Sequence, residues 1–204
     1  MRHDGISVHT IRGAIYHHVK RHLEAEVKRS PEQLRVVEVG SRRFRGAQWW
    51  ADFRKLALDL GCRYKGTDFM AGPNVDMVVD LSKPDGAVEL LRKTSRLADV
   101  VLCTEVLEHV WDPGGLLRGI LQVLKPHGLL VLTTLFAFPI HNHPEDFWRF
   151  TPFCLERMFV GSGFTEVDIK TNGEALFSID NHGAGLVRRT APVQLLATAR
   201  KVRP

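Results

Sequence analysis

The spacing of apolar positions changes from segment to segment along the chain, and each spacing predicts an element. Between residues 8 and 28, Ile11, Ile15, Val19, Leu23 and Val27 recur every fourth residue, one stripe of an amphipathic helix whose other faces are rich in His and Lys. Ser30-Pro31 stops it, because the residue before a proline disfavours helix. Val36, Val37 and Val39 form a short strand-like run that reaches Glu38 and Gly40 at its end. A turn closed by Gly46 leads into a helical pattern over 47–60, with Trp49, Trp50, Phe53, Leu56, Leu58 and Leu60 as its apolar content and Gly61 as its stop. Residues 62–69 predict a second strand ending on Asp68, and after a turn at Gly72-Pro73 a third, short strand ends at Asp80. A helix over about 85–95 leads to a buried fourth strand, Asp99 to Thr104.

Trp111-Asp112-Pro113 opens a helix running through Leu124, with Asp112 as N-cap and Pro113 in the first turn. Lys125 to Gly128 closes it, and 128–135 is a fifth strand. Residues 136–152 (FAFPIHNHPEDFWRFTP) break the alternation as an irregular insert dense in aromatics, histidines and acids. Thr151-Pro152 caps a further helix to about Val160, broken by Gly161 and Gly163. A sixth strand (164–171), a loop holding Gly173, Gly183 and Gly185, and a last strand (192–201) complete the chain. Strands alternating with helices predict a mostly parallel α/β sheet covered on both faces. The last two strands have no helix between them, so they are expected to pair antiparallel.

The chain has 204 residues, 44% hydrophobic and 25% charged, the composition of an ordinary globular protein with one sizeable core. One domain over 1–204 is expected, with 1–30 as a helical cap and 136–152 as an insert on the substrate side. No apolar run approaches the roughly 20 residues of a membrane span, and the N-terminal residues lack the apolar core of a secretory signal. Cys62, Cys103 and Cys154 are odd in number and contain no CxxC, which suggests reduced thiols and a cytoplasmic setting. The net charge of +5 permits nucleic-acid binding but more often reflects a solvated surface. His17, His18 and His22 point different ways on a helix and are expected to be solvated.

The strand ends carry the chemistry. In open α/β sheets the ligand sits beyond the carboxyl ends of the strands. Here those ends read Glu38-Gly40, Asp68, Asp80 and Cys103-Thr104-Glu105, a strongly acidic line. Such a line repels a pyrophosphate and suits ribose hydroxyls and an ammonium group. Asp68 is placed to accept from both ribose hydroxyls, and Glu38 to hold an amino group. A nucleoside bearing an amino acid is the ligand this suggests.

VEVGSRRFRG, GTDFMAGPNVDMVVDL, EVLEHV, LKPHG and HNHPEDFWRFTP together, in this order, resemble the class I S-adenosylmethionine-dependent methyltransferases over about residues 35–172. The resemblance implies a Rossmann-like, doubly wound seven-stranded sheet with the last strand reversed. It implies S-adenosyl-L-methionine as cofactor, with Glu38 and Gly40 at its methionine part, Asp68 at the ribose, and Ser41, Gly46 and Phe69 also among the residues that bind it. Asp80 and Leu81 would meet the adenine, and Cys103 and Thr104 would lie near the sulfonium, through backbone as much as side chain, with Glu105 also at the cofactor. Arg42 departs from the usual glycine spacing. With Arg43 and Arg45 it can either grip an acidic group or lie exposed.

Methyl transfer from an activated sulfonium is governed by positioning, whereas a hydroxyl acceptor needs a base. The candidates are His141, His143, Asp146 and His109, with Glu108 and Glu145 beside them. Arg149 is expected to lock the insert by pairing with Asp146, and Glu108 and His109 can equally cap the next helix. His141, His143 and Glu145 share one face of an extended chain, which is ligand geometry, but such loops often hold no metal and none is assigned. A small-molecule acceptor methylated at oxygen, such as a sugar or natural-product intermediate, is expected, and a homodimer is compatible with the chain. Three alternatives remain: an RNA or DNA methyltransferase, a nicotinamide-dependent oxidoreductase, and a non-catalytic binding protein of the same fold.

Overall fold

The computed structural model describes residues 8–43, 51–141, 144–180 and 186–202. The elements run α1 (Val8–Arg29), β1 (Arg35–Val39), α2 (Phe53–Asp59), β2 (Arg63–Asp68), β3 (Met77–Val78), α3 (Gly86–Thr94) and β4 (Ala98–Thr104). A 3-10 turn (Leu107–His109), α4 (Pro113–Val123), β5 (Leu124–Leu135), α5 (Pro152–Gly161), β6 (Phe164–Asp180) and β7 (Leu186–Lys201) follow. The seven strands form one sheet in the order β3-β2-β1-β4-β5-β7-β6. β1 to β5 pair parallel, and β7 runs antiparallel to both β5 and β6. This is the mostly parallel, doubly wound sheet with a reversed last strand that the sequence pattern predicts.

Side chains alternate across the strands and so divide the core in two. Val100 and Leu102 of β4 join Val36, Leu129 and Val131 against Ile11, Ile15, Val19 and Leu23 of α1 and Phe53 and Leu56 of α2. Val101 and Cys103 point the other way, into a cluster with Leu90 of α3, Leu117 and Ile120 of α4 and Phe159 of α5. The period of four along α1 is therefore the stripe that seats it on the sheet.

Several boundaries differ from the sequence expectation. α2 begins at Phe53, where the Asp52 side chain accepts the backbone N–H of Lys55 as an N-cap; residues 47–50 lie outside the described set. β3 has only two residues, so Asp80 stands in the connection beyond it. Leu124 is extended and opens β5 directly after α4. The expected loop at Gly173 is strand instead, because β6 and β7 keep pairing out to Asp180 and Leu186. Gly183 and Gly185 lie outside the described residues.

His18 is a further correction. It is 5% exposed, and its Nε2 lies 3.2 Å from the Ala197 carbonyl of β7. One ring position away from the Ile15–Val19 stripe is still on the buried side when the helix lies flat on the sheet. Among the described residues no helix is long and apolar enough to cross a membrane.

Candidate active site

The strand order reverses between β1 and β4, the switch point at which ligands bind in sheets of this kind. Beyond those two strand ends lies a cavity of about 310 Å³. Glu38, Gly40 and Ser41 line it from β1, and Thr104 and Glu105 from β4. Ile11, Arg12 and Ile15 of α1 form a wall, and Phe138 and His141 of the insert meet it beside His109. Glu38 and Thr104 reach it because they share the face of Val36 and Leu102. Cys103 falls on the opposite face, fully buried in the α4 side of the core. Its thiol cannot touch a ligand in the cavity, which leaves only its backbone for the role expected of it.

The turn after β1 is held by a polar network. Tyr64 donates its hydroxyl to the Glu38 carboxylate, and Asn74 donates to the Tyr64 oxygen at 3.3 Å and to the Ser41 carbonyl at 2.9 Å. The Ser41 hydroxyl donates to the Asn74 carbonyl at 3.0 Å. Burial pushes the Glu38 carboxyl up to about 7, against the opposing effect of the Tyr64 hydrogen bond. Gly40 has φ +72, and a Cβ there would overlap the Val106 side chain. At Gly40 the turn thus brings bare backbone to the cavity edge, with Ser41, Arg42 and Arg43 lining it beyond.

Asp68, at the end of β2, accepts the backbone N–H of Met70 at 3.0 Å and of Arg42 at 3.2 Å. It is 7% exposed, whereas its neighbour Phe69 is 61% exposed. The Arg42 Nε lies 3.8 Å from the same carboxylate, and Arg43 pairs with Asp52 at 2.8 Å. Asp80 uses one oxygen to accept from both the backbone and hydroxyl of Ser82, and Leu81 is buried in the core. Asp68, Phe69, Asp80 and Leu81 are not among the cavity-lining residues. Gly46, Arg45 and His143 lie outside the described residues.

Glu105 has φ +51. Its Oε1 accepts from the Thr133 hydroxyl at 2.7 Å and the Gln194 amide at 2.9 Å. Glu108 is fully buried; its Oε2 accepts from Thr134 at 2.8 Å, and its Oε1 has no hydrogen-bond partner. Burial raises both carboxyls, and Glu108 raises Glu105 further through charge repulsion. Thr133, Thr134, Gln194, Tyr64 and Asn74 were not singled out from sequence. The one signal for them is a polar residue inside an otherwise apolar strand, as with Gln194 and the Thr133-Thr134 pair.

The insert folds back onto the 3-10 turn. The backbone N–H groups of Phe147 and Trp148 donate to the Glu108 carbonyl at 2.9 and 3.2 Å, and the Trp148 indole donates to Val110 at 3.0 Å. Arg149 forks onto Asp146 at 2.6 and 2.8 Å, and Asp146 also accepts the His141 backbone N–H at 2.7 Å. These bonds hold the Asp146 carboxyl far below its usual range. With a side chain 1% exposed, Asp146 is a latch of the insert and has no free oxygen edge toward the cavity.

His109 and His141 meet edge to face with ring centroids 4.8 Å apart. The His109 Nδ1 bonds the Glu145 carbonyl, and the His141 Nδ1 lies 3.1 Å from Asp146. Burial lowers the His141 pKa, with Asp146 opposing. Glu108 and His109 do not cap α4; Asp112 does, accepting from Gly115 at 2.8 Å. Of the bases named from sequence, the structure therefore gathers His109, His141 and Glu108, leaves the Glu145 side chain exposed, and commits Asp146 to the latch.

This fold agrees with the comparisons. Residues 13–169 match the methyltransferase-domain family, and the chain belongs to that family. Among curated proteins it is similar to the ubiquinone biosynthesis O-methyltransferase of Psychrobacter arcticus, 33% identical over 88 residues (35% of this chain, 34% of that protein). It is also similar to the enzyme of that name from Caulobacter vibrioides, 45% identical over 53 residues (26% of this chain, 21% of that protein). The chain thus spans about a third or less of the length of these relatives. The fold is shared with the Burkholderia thailandensis 1,6-didemethyltoxoflavin-N1-methyltransferase, solved with bound 1,6-didemethyltoxoflavin and S-adenosylhomocysteine. The TM-score is 0.59 at 19% identity, covering 93% of this chain and 79% of that one. A SAM-dependent methyltransferase from Archaeoglobus fulgidus gives a TM-score of 0.58 at 19% identity, covering 91% and 94%.

Proposed function

We propose that the protein is an S-adenosylmethionine-dependent methyltransferase that methylates a hydroxyl of a small molecule. The carrying observation is the pair of acids on adjacent strands, Glu38 and Asp68, either side of the Gly40 turn. The donor set fits this cofactor: a buried carboxylate at the cavity for an ammonium, a carboxylate at the next strand end for ribose hydroxyls, and a glycine cradle between them. Thr104 and Glu105 would stand near the sulfonium, and Phe69 and Asp80, with the Leu81 backbone, near the adenine. When bound, the cofactor supplies an activated methyl group.

The chain's own residues then orient the acceptor and take its proton. Ile15, Phe138 and Leu135 give the cavity an apolar side, which suits a flat or aliphatic acceptor. Asp146 beside the His141 Nδ1 favours a proton on that nitrogen and leaves Nε2 basic. The His109 Nδ1, donating to Glu145, leaves its own Nε2 free in the same way. Either imidazole can accept the proton of a hydroxyl held between them. The matched relatives are named for O-methylation, which supports oxygen as the acceptor atom.

Calorimetric titration with S-adenosylhomocysteine tests this, with Asp68→Ala and NADPH as controls. Micromolar binding lost in the variant supports the proposal. A folded protein that binds no sulfur nucleoside, or binds NADPH instead, overturns it.

A further inference from the structure

We propose that Glu108, His109 and His141 form a binding site for one divalent first-row cation, zinc or manganese in character, at the floor of the acceptor cavity. One ligand atom from each lies within 4.8 Å of the other two. This set shares only His141 with the one read from the sequence pattern, His141 with His143 and Glu145, of which His143 lies outside the described residues.

Three independent features point to a cation. The Glu108 Oε1 is completely buried and has no hydrogen-bond partner, while Oε2 is fixed by Thr134 at 2.8 Å. An orphaned carboxylate oxygen costs free energy unless something fills its place. The His109 imidazole is oriented through Nδ1 by the Glu145 carbonyl, and the His141 Nδ1 lies 3.1 Å from the Asp146 carboxylate without forming a hydrogen bond. Backbone carbonyls and carboxylates behind Nδ1 are the usual outer partners of metal-binding histidines, because they present the Nε2 lone pair. Finally, Glu105 and Glu108 are two acids set deep in one region, where a divalent charge offsets their repulsion.

Two imidazoles and one carboxylate suit borderline cations better than magnesium or calcium. Tetrahedral bonds of about 2.0–2.2 Å set ligand atoms ~3.3–3.6 Å apart. Loading therefore draws the widest pair of the three together by up to about 1.5 Å, which rotation of His141 on the insert can supply. Because His109 and His141 line the cavity, the unfilled coordination positions face the acceptor.

This inference rests on the proposed function and refines it. With the ion bound, the imidazoles hold metal, and the ion lowers the pKa of a coordinated acceptor hydroxyl, whose proton leaves to water. An acceptor with adjacent oxygens, able to chelate, is the class that such a site prefers.

The test is calorimetry of the chelator-stripped full chain with Zn²⁺ and with Mn²⁺, magnesium serving as a control. One ion per chain is expected, with affinity falling at least tenfold in Glu108→Gln and in His141→Ala. Glu108→Gln preserves an acceptor for Thr134, so it keeps the fold where a smaller side chain would not. S-adenosylhomocysteine affinity should be unchanged in both variants. Ion binding without nucleoside binding overturns the proposed function and leaves the site standing. Absence of ion binding, wild-type affinity in both variants, or loss only in His22→Ala on α1 overturns the site.

Discussion

Tyr64 donates its hydroxyl to the buried carboxylate of Glu38, on adjacent paired strands at the turn that opens the cavity. The hydrogen bond favours the ionised acid, yet burial outweighs it and pushes Glu38 up from 4.5 to about 7. Its folded pKa lies above the unfolded value, so it binds more protons in the folded state between those limits. Its contribution to stability is full below pH 4.5 and is lost as pH rises through about 7. Thermal unfolding from about pH 5 to pH 8 should show this loss, and Glu38→Gln should flatten it. An ammonium-bearing ligand demands the ionised form, so S-adenosylhomocysteine binding near pH 6 should release a proton. Binding heats that do not vary with buffer ionisation enthalpy would contradict this. The variant should bind roughly tenfold or more weakly, the scale of one charge-assisted hydrogen bond.

Gly40 has two separate reasons to be glycine. Its φ of +72 disfavours any side chain, and a Cβ would overlap Val106. Gly40→Ala should cost about 1–2 kcal/mol for the backbone alone and more for the overlap. Adding Val106→Ala should recover only the second part. Denaturant unfolding of the two single variants and the double would show a coupling of ~0.5–3 kcal/mol. Strict additivity would mean that the turn moves aside instead of clashing.

Much of this architecture was legible because the chain punctuates itself. The four-residue stripe of α1, the Asp112-Pro113 and Thr151-Pro152 helix starts and the acids Glu38 and Asp68 at the ends of β1 and β2 all act locally, within a turn or a strand. The boundary at Phe53 was missed because Trp49 and Trp50 extend an apolar pattern past the Asp52 cap. The β6–β7 extension was missed because Gly173 reads as a break, whereas pairing with β7 continues strand through a residue at φ +69. Cys103 was expected at the cofactor through backbone as much as side chain; the period of two puts its side chain on the opposite face and leaves the backbone for that role. The Glu108, His109 and His141 cluster joins residues more than 30 positions apart, and no spacing rule connects an insert to a preceding turn.

Asp146 and Arg149 should govern catalysis through the position of His141. Arg149 also donates to the Phe138 and Pro139 carbonyls at 3.1 and 2.9 Å, so the pair holds both ends of the insert's first half. Asp146→Asn removes the ionic part and keeps one acceptor; Asp146→Ala also strands the His141 N–H. Stability should fall by about 1–3 kcal/mol in the alanine variant and less in the asparagine variant. Turnover should fall in the same order, with S-adenosylhomocysteine affinity held within a factor of about two. Equal loss of cofactor binding and turnover would show that the insert supports the whole site and not His141 alone.

His18 should set the acid limit of the fold. Burial lowers its pKa from 6.5 to about 4, opposed by the bond to Ala197, with His22 and Arg21 lowering it further and Asp168 raising it. A depressed folded pKa gives a contribution that is complete above pH 6.5 and is lost as pH falls through about 4. The change over that window is at most about 3 kcal/mol. Chemical denaturation at about pH 7.5 and pH 5 should show the wild type losing more stability than His18→Gln, which keeps a donor for Ala197 but cannot charge. Because Ile11, Arg12 and Ile15 of the same helix wall the cavity, protonation of His18 loosens α1 where the ligand sits. Cofactor affinity should therefore fall with the wild type's stability below about pH 5.5, and less so in His18→Gln. A parallel decline in both proteins would move the acid sensitivity away from α1.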